Sequence, residues 1–208
     1  MRPPENWRNA RFTLGIAAVT AAAWLVAVLL RLDLVAPVAG FTPAQVDGGA
    51  AAGTAFPVAL TPLTATLVHA GLFHLFFNLL ILLFCGRAVE AIVGGRGIVI
   101  LYLVGAYAAA AAYWAADPQG SVPMVGASGA ISAVLGAYAI LFGRNRVKIA
   151  SPRLAVWVHA IWLAAAWIGM QFLVGLTVEG IAISAHIGGF LAGLLLAKPL
   201  LLLKWRGA

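Results

Sequence analysis

The stretch LVHAGLFHLFFNLLILLFCG, Leu67–Gly86, holds no charged residue and is long enough for an α-helix to cross the hydrocarbon core of a bilayer. It also carries His69, His74 and Asn78. Polar groups at membrane depth are costly, so their presence demands a reason.

Outward from this stretch the composition is of one kind. Of 208 residues, 63% are hydrophobic and 9% charged, whereas soluble domains carry roughly 25% charged residues. Charge this sparse cannot coat a globule in water, which excludes a soluble fold and leaves lipid as the surrounding solvent. Five further apolar runs join the first, giving spans at 12–30, 67–86, 97–116, 123–143, 154–178 and 180–203. They show no alternating pattern, and open strand edges are not satisfied in lipid, so the spans are expected to be helices. The expected fold is all-α, a six-helix polytopic bundle forming one domain over 1–208. The first run exceeds a signal peptide's apolar core and no small-x-small site follows promptly, so it reads as a retained helix.

The net charge of +7 raises the question of nucleic acid, but the basic residues lie between apolar runs, which points to a membrane surface instead. Arg2, Arg8, Arg11, Arg87, Arg96, Arg144, Arg146, Lys148, Arg153, Lys198, Lys204 and Arg206 all fall on one side of the six-span layout. The opposite side holds Arg31 with Asp33, Asp47, Asp117 and Glu179. The positive-inside rule then places both termini in the cytoplasm. Residues 32–66, broken by Pro37, Pro43, Pro57 and Pro62, form a long outer loop expected to lie along the membrane surface. Cys85 has no partner cysteine and reads as packing.

The remaining polar residues fall on the outer side. Ser128, in GASG at Gly126–Gly129, opens the fourth span eleven residues after Asp117, and His186 lies seven after Glu179. Both would sit about 10 Å below the surface. Gly189 and Gly193 share a helix face with His186, while Ser132 and Gly136 share one with Ser128. Two small-residue faces packed together would bring a serine nucleophile beside a histidine base. No HExxH occurs and no carboxylate lies within a span, so no metal or cofactor is expected. His159, near the inner end of the fifth span, reads as structural.

These residues resemble the rhomboid intramembrane serine proteases. The resemblance rests on HAGLFHLFFN at His69–Asn78, on GASG, and on AHIGGFLAG at Ala185–Gly193, and covers nearly the whole chain. It implies that Ser128 is the nucleophile and His186 its general base, without an aspartate. It further implies an oxyanion site made of the His74 and Asn78 side chains with backbone N–H groups of Ser128 and Ala127. His69, Gly126, Gly129, Gly189 and Gly193 are then supporting residues. The implied substrates are membrane-anchored proteins cut near the outer face, with lipids as the other partners. The implied setting is a bacterial inner membrane, and no oligomeric state follows.

Two departures stand out. Relatives often carry a Trp-Arg pair in the first outer loop, where this chain has Leu60 and Thr61. An aromatic often follows the serine at +4 and packs on the histidine ring; here the position is Ser132. These put the anchoring of the loop and the restraint of the His186 ring in question. The competing readings are a non-catalytic rhomboid-like binder of membrane segments, which has no need of the full constellation, and a proton-relay transporter, which lacks intramembrane acids.

Overall fold

The structure is a computed structural model describing residues 10–32, 35–46, 48, 56–143, 151–175 and 182–206. Arg2, Arg8, Arg144, Arg146, Lys148, Asp33, Asp47, Glu179 and residues 176–181, where the sequence places the fifth-to-sixth connection, lie outside these. Six apolar helices dominate: α1 (Arg11–Leu29), α2 (Leu72–Ile81), α3 (Arg87–Ala116), α4 (Ser128–Phe142), α5 (Pro152–Gly175) and α6 (Ile183–Arg206). Among the described residues the only extended pairing is a single bridge between Phe41 and Met124. Among the described residues four stretches meet the length and hydropathy of a membrane span: Arg11–Leu29, Leu72–Ala116, Pro152–Gly169 and Ile183–Lys204.

The long stretch Leu72–Ala116 is two helical segments joined end to end. A π-helical turn, Leu82–Gly86, carries α2 straight into α3, and the break falls at Gly94 with φ 79° and ψ 170°. That left-handed φ suits glycine, which has no Cβ to crowd the carbonyl. The sequence reading puts a loop at 87–96, because Arg87 and Arg96 flank it; the chain is instead helical through Val93. Ala91, just before the break, receives Lys204 Nζ on its carbonyl at 3.0 Å. This supplies a partner for a carbonyl near the helix end.

Glu90 lies buried on this segment and binds the start of α1. Its carboxyl accepts the backbone N–H groups of Phe12 at 3.1 Å and Thr13 at 2.8 Å, and the Thr13 hydroxyl at 2.6 Å. Ala10, the residue before α1, offers no side-chain cap. A carboxyl 77 residues away in sequence therefore satisfies the orphan donors of the helix, whose positive end favours it.

The helices turn small residues inward and large apolar ones outward. On α1 the buried positions are Thr13, Ala17 and Thr20, while Leu25, Val26 and Leu29 are exposed. In water this pattern would be inverted; in lipid, outward leucines cost nothing and small residues let backbones approach. α4 is enclosed along nearly its whole length, with α3 and α6 closest to it. Gly189 and Gly193 of α6 lie against the carbonyls of Gly129 and Ala133, and Gly136 of α4 against the Phe190 carbonyl. The small-residue faces read from the sequence do meet, although Gly129 and Ala133 form the contact beside Ser132 and Gly136.

Two further helix starts differ from the sequence reading. The apolar run from Leu67 is not one helix. A short turn, Ala65–Leu67, ends in extended Val68, and α2 begins at Leu72. His69 therefore stands on the connection ahead of α2. α4 likewise starts at Ser128, five residues later than 123, because Met124 is extended and paired with Phe41. Hydropathy does not register backbone turns inside an apolar run.

The described parts of 32–66, expected as an outer loop along the membrane surface, fold back against the bundle. Thr42, Thr61, Ala65 and Thr66 are buried. The loop is held by the Phe41–Met124 pair at 3.0 and 2.8 Å, by Gly126 N–H to the Ala65 carbonyl at 2.9 Å, and by Tyr107 OH to the Ala59 carbonyl at 2.8 Å. Leu60 is exposed, whereas Thr61 is buried and donates to the Val58 carbonyl at 2.7 Å.

Candidate active site

The end of the α1–α2 connection, the start of α2 and the N-termini of α4 and α6 converge on one buried polar cluster. Ser128 is the first residue of α4, so its N–H and those of the next residues have no acceptor within the helix. Its Oγ lies 2.8 Å from His186 Nε2, and the two residues are 6% and 4% exposed. Among the described residues the His186 Nδ1 has no hydrogen-bond partner. A neutral imidazole protonated at Nδ1 accepts the serine hydroxyl at Nε2, the arrangement a nucleophile and its base require.

Gly126 shapes the approach to Ser128. Its φ of 107° lies in the left-handed region. A Cβ there would stand 2.6 Å from the Nε2 and Cε1 of His74 and 3.7 Å from Ser128 Oγ. Glycine thus makes room for the His74 ring beside the serine. The His69 and His74 rings are 4.9 Å apart between centroids. The Ala127 N–H points at His69 Nε2 across 3.5 Å, so this expected oxyanion donor is engaged by an imidazole nitrogen as it stands.

Asn78 is buried on α2, one turn beyond His74. Its Nδ2 donates to the His74 carbonyl at 2.8 Å, and its Oδ1 has no partner among the described residues. The amide keeps a second N–H available. Gly129 and Gly189 sit behind the serine and the histidine at the α4–α6 contact, with Gly193 a turn further on. Among the described residues no set of three His, Cys, Asp or Glu side chains is close enough to hold a metal.

Trp167 of α5 is a site neighbour that the sequence did not single out. Its ring centroid is 6.1 Å from that of His186, and its Nε1–H donates to Ser132 Oγ at 2.6 Å. A tryptophan within an apolar run carries no signal that would set it apart. The Ser132 departure put the restraint of the His186 ring in question without pointing to Trp167.

Against known proteins, the chain is 32% identical over 138 residues to rhomboid protease GluP of Bacillus subtilis, which is 66% of this chain and 25% of that protein. It is 31% identical over 135 residues to RHOMBOID-like protein 5 of Arabidopsis thaliana, 65% of this chain and 42% of that one. The chain thus spans less than half the length of either relative. With the Rhomboid domain model matching residues 59–203, which contain every site residue described above, this multi-pass membrane protein belongs to the rhomboid family.

Proposed function

We propose that the chain is an intramembrane serine endopeptidase that cuts membrane-anchored proteins near the outer face of a membrane. The observation that carries this reading is the 2.8 Å contact between Ser128 Oγ and His186 Nε2 in a buried site. Family membership and the likeness to a protein named a rhomboid protease support it.

In this reading His186 Nε2 takes the proton as Ser128 Oγ attacks the scissile carbonyl, and returns it to the leaving amine when the tetrahedral intermediate collapses. Water then attacks the acyl-Ser128 with His186 again as base. The negative charge of each intermediate falls on the former carbonyl oxygen. The N–H groups of Ser128 and Ala127 and the side chains of His74 and Asn78 stabilise it, with the positive end of the α4 dipole behind them. Ala127 N–H leaves His69 for the substrate oxygen at that moment.

The depth of the site follows from helix length. A helix of 15 residues spans about 22 Å, against a hydrocarbon core of about 30 Å. With its far end at the inner boundary, α4 places Ser128 several ångströms below the outer one, within reach of a substrate helix and of water from outside. A substrate helix hides its scissile carbonyl in its own hydrogen bonds, so segments with small or helix-breaking residues are the expected substrates. Both termini are taken as cytoplasmic and the membrane as a bacterial inner membrane.

The deciding experiment is incubation of detergent-purified protein with a model single-span substrate, comparing wild type with Ser128→Ala. Cleavage that vanishes in the folded variant supports the reading; substantial turnover by Ser128→Ala overturns it. For the orientation, reporter fusions after Asp47 and after Arg146 are expected to give opposite signals, and equal signals would contradict it.

A further inference from the structure

Among the described residues the proposed base has no polar partner on its far side. His186 Nδ1 is buried and has no hydrogen-bond partner among the described residues, so none of these fixes the ring about its χ2 axis. Ser128 holds Nε2 alone, and that bond is given up whenever the serine attacks. Among the described groups, what remains to orient the imidazole through the reaction is packing.

The group placed to do this is Trp167. It is 3% exposed, and its ring meets the imidazole at a centroid distance of 6.1 Å with the planes inclined at 61°. Edge-on aromatic contacts of this kind fall within the favourable range of separation and angle. The indole is itself fixed: Nε1–H donates to Ser132 Oγ at 2.6 Å, and that hydroxyl donates to the Ser128 carbonyl at 2.8 Å. A path of two hydrogen bonds thus runs from α5 to the backbone of the serine whose base the indole faces.

We propose that Trp167 is a positioning residue for His186, its ring held by Ser132 so that the imidazole keeps Nε2 directed at Ser128 Oγ. The proposal rests on the Ser128–His186 reading above. Trp167 touches no reacting atom; it acts by denying the imidazole other orientations, and misplacement of a catalytic group on the ångström scale costs rate steeply.

The test uses the full chain in detergent and a small fluorophosphonate, whose reaction with Ser128 needs no substrate helix to pass between α-helices. Labelling rates per folded molecule are measured for wild type, Trp167→Phe, Trp167→Ala and Ser132→Ala, together with histidine side-chain NMR. Trp167→Ala is expected to label about 10- to 100-fold more slowly, with the His186 signals broadened by ring motion. Trp167→Phe keeps an aromatic ring without the N–H, and Ser132→Ala keeps the indole without its hold, so both are expected to label faster than Trp167→Ala and slower than wild type. Labelling of Trp167→Ala at the wild-type rate overturns the proposal, as does a loss that Trp167→Phe does not rescue. If Trp167→Ala does not fold, Trp167→Leu replaces it, and wild-type labelling by that variant overturns the proposal equally. Failure of the wild type to label at all would sink the dyad reading and leave the positioning claim to the NMR comparison. Sharp, unshifted His186 signals in the Trp167 variant would then refute it.

Discussion

Gly189 of α6 lies directly against the carbonyl oxygen of Gly129 on α4, a contact no residue with a Cβ could make there. Gly129 follows Ser128 in the chain, and Gly189 is one turn from His186. The closeness of these two backbones therefore sets the separation of the proposed nucleophile and base. Gly189→Ala drives a methyl into backbone, which cannot swing aside as a flexible side chain would. The variant is expected to melt at a lower temperature and to lose roughly 10²-fold in cleavage rate per folded molecule. Gly169→Ala is the control: nothing lies within 4 Å of a Cβ at that position, and exchanging Gly for Ala in a helix favours the fold by up to about 1 kcal/mol. Unchanged melting and cleavage in Gly189→Ala would show that the glycine contact does not set the dyad distance.

Glu90 separates stability from chemistry. It serves the start of α1, near Lys204 at the far end of α6. His186 precedes Lys204 by 18 residues on that helix, which is about 27 Å along its axis. Glu90→Ala strands the buried N–H and hydroxyl of Thr13, at a cost of about 1–3 kcal/mol for each, together with the part-buried N–H of Phe12. The expected result is a clear drop in thermal stability with kcat per folded molecule close to wild type. Parallel melting and kinetic measurements check this, and a folded but inactive Glu90→Ala would tie this end of the bundle to the active site.

What could be read from the sequence, and what could not, divides along physical lines. The membrane class, the helical fold and the rhomboid family were legible because charge scarcity, apolar run length and the spacing of His69, His74, Asn78, Ser128 and His186 are all one-dimensional properties. Glu90 was passed over because Arg87 and Arg96 flank it and suggest a solvated loop, whereas the helix runs through it. The displacement of His69 from α2 left no trace, since an apolar run looks the same across a backbone turn. The hold on the first outer loop was equally silent: with Leu60 and Thr61 in place of a Trp-Arg pair, the Phe41–Met124 and Gly126–Ala65 bonds are backbone to backbone and have no side-chain signature. Trp167 needed the third dimension, because its partners Ser132 and His186 lie on two other helices.

The proposed base fixes the sign of the pH dependence. His186 Nε2 can take the Ser128 proton only while the imidazole is neutral; a proton already on that nitrogen blocks the step. Activity is therefore expected to fall as pH drops through the pKa of His186, about tenfold per pH unit well below it, with no matching loss from this group on the alkaline side. The profile of kcat/KM against pH measures this in the free enzyme. If a His186 variant with residual activity keeps the same acid limb, the limb belongs to another group.

Asn78 distinguishes transition-state stabilisation from helix packing. It is buried beside the site, with one N–H spent on the His74 carbonyl and the other unassigned. As structural glue within a membrane bundle, such a side chain is worth about 0.6 to 2 kcal/mol. Its bond to a carbonyl of its own helix ties it to no neighbouring helix, so little of that value is expected here. As an oxyanion donor it would act mainly on the charged intermediate, and its removal would cost roughly 10² to 10³ in kcat with KM nearly unchanged. Asn78→Ala is therefore expected to melt close to wild type and to cleave slowly. Asn78→Asp, which replaces the donor by a negative charge facing the oxyanion, is expected to be slower still. Measuring kcat per folded molecule beside a melting curve decides between the roles, and a destabilised Asn78→Ala that cuts at the wild-type rate would remove Asn78 from the oxyanion site.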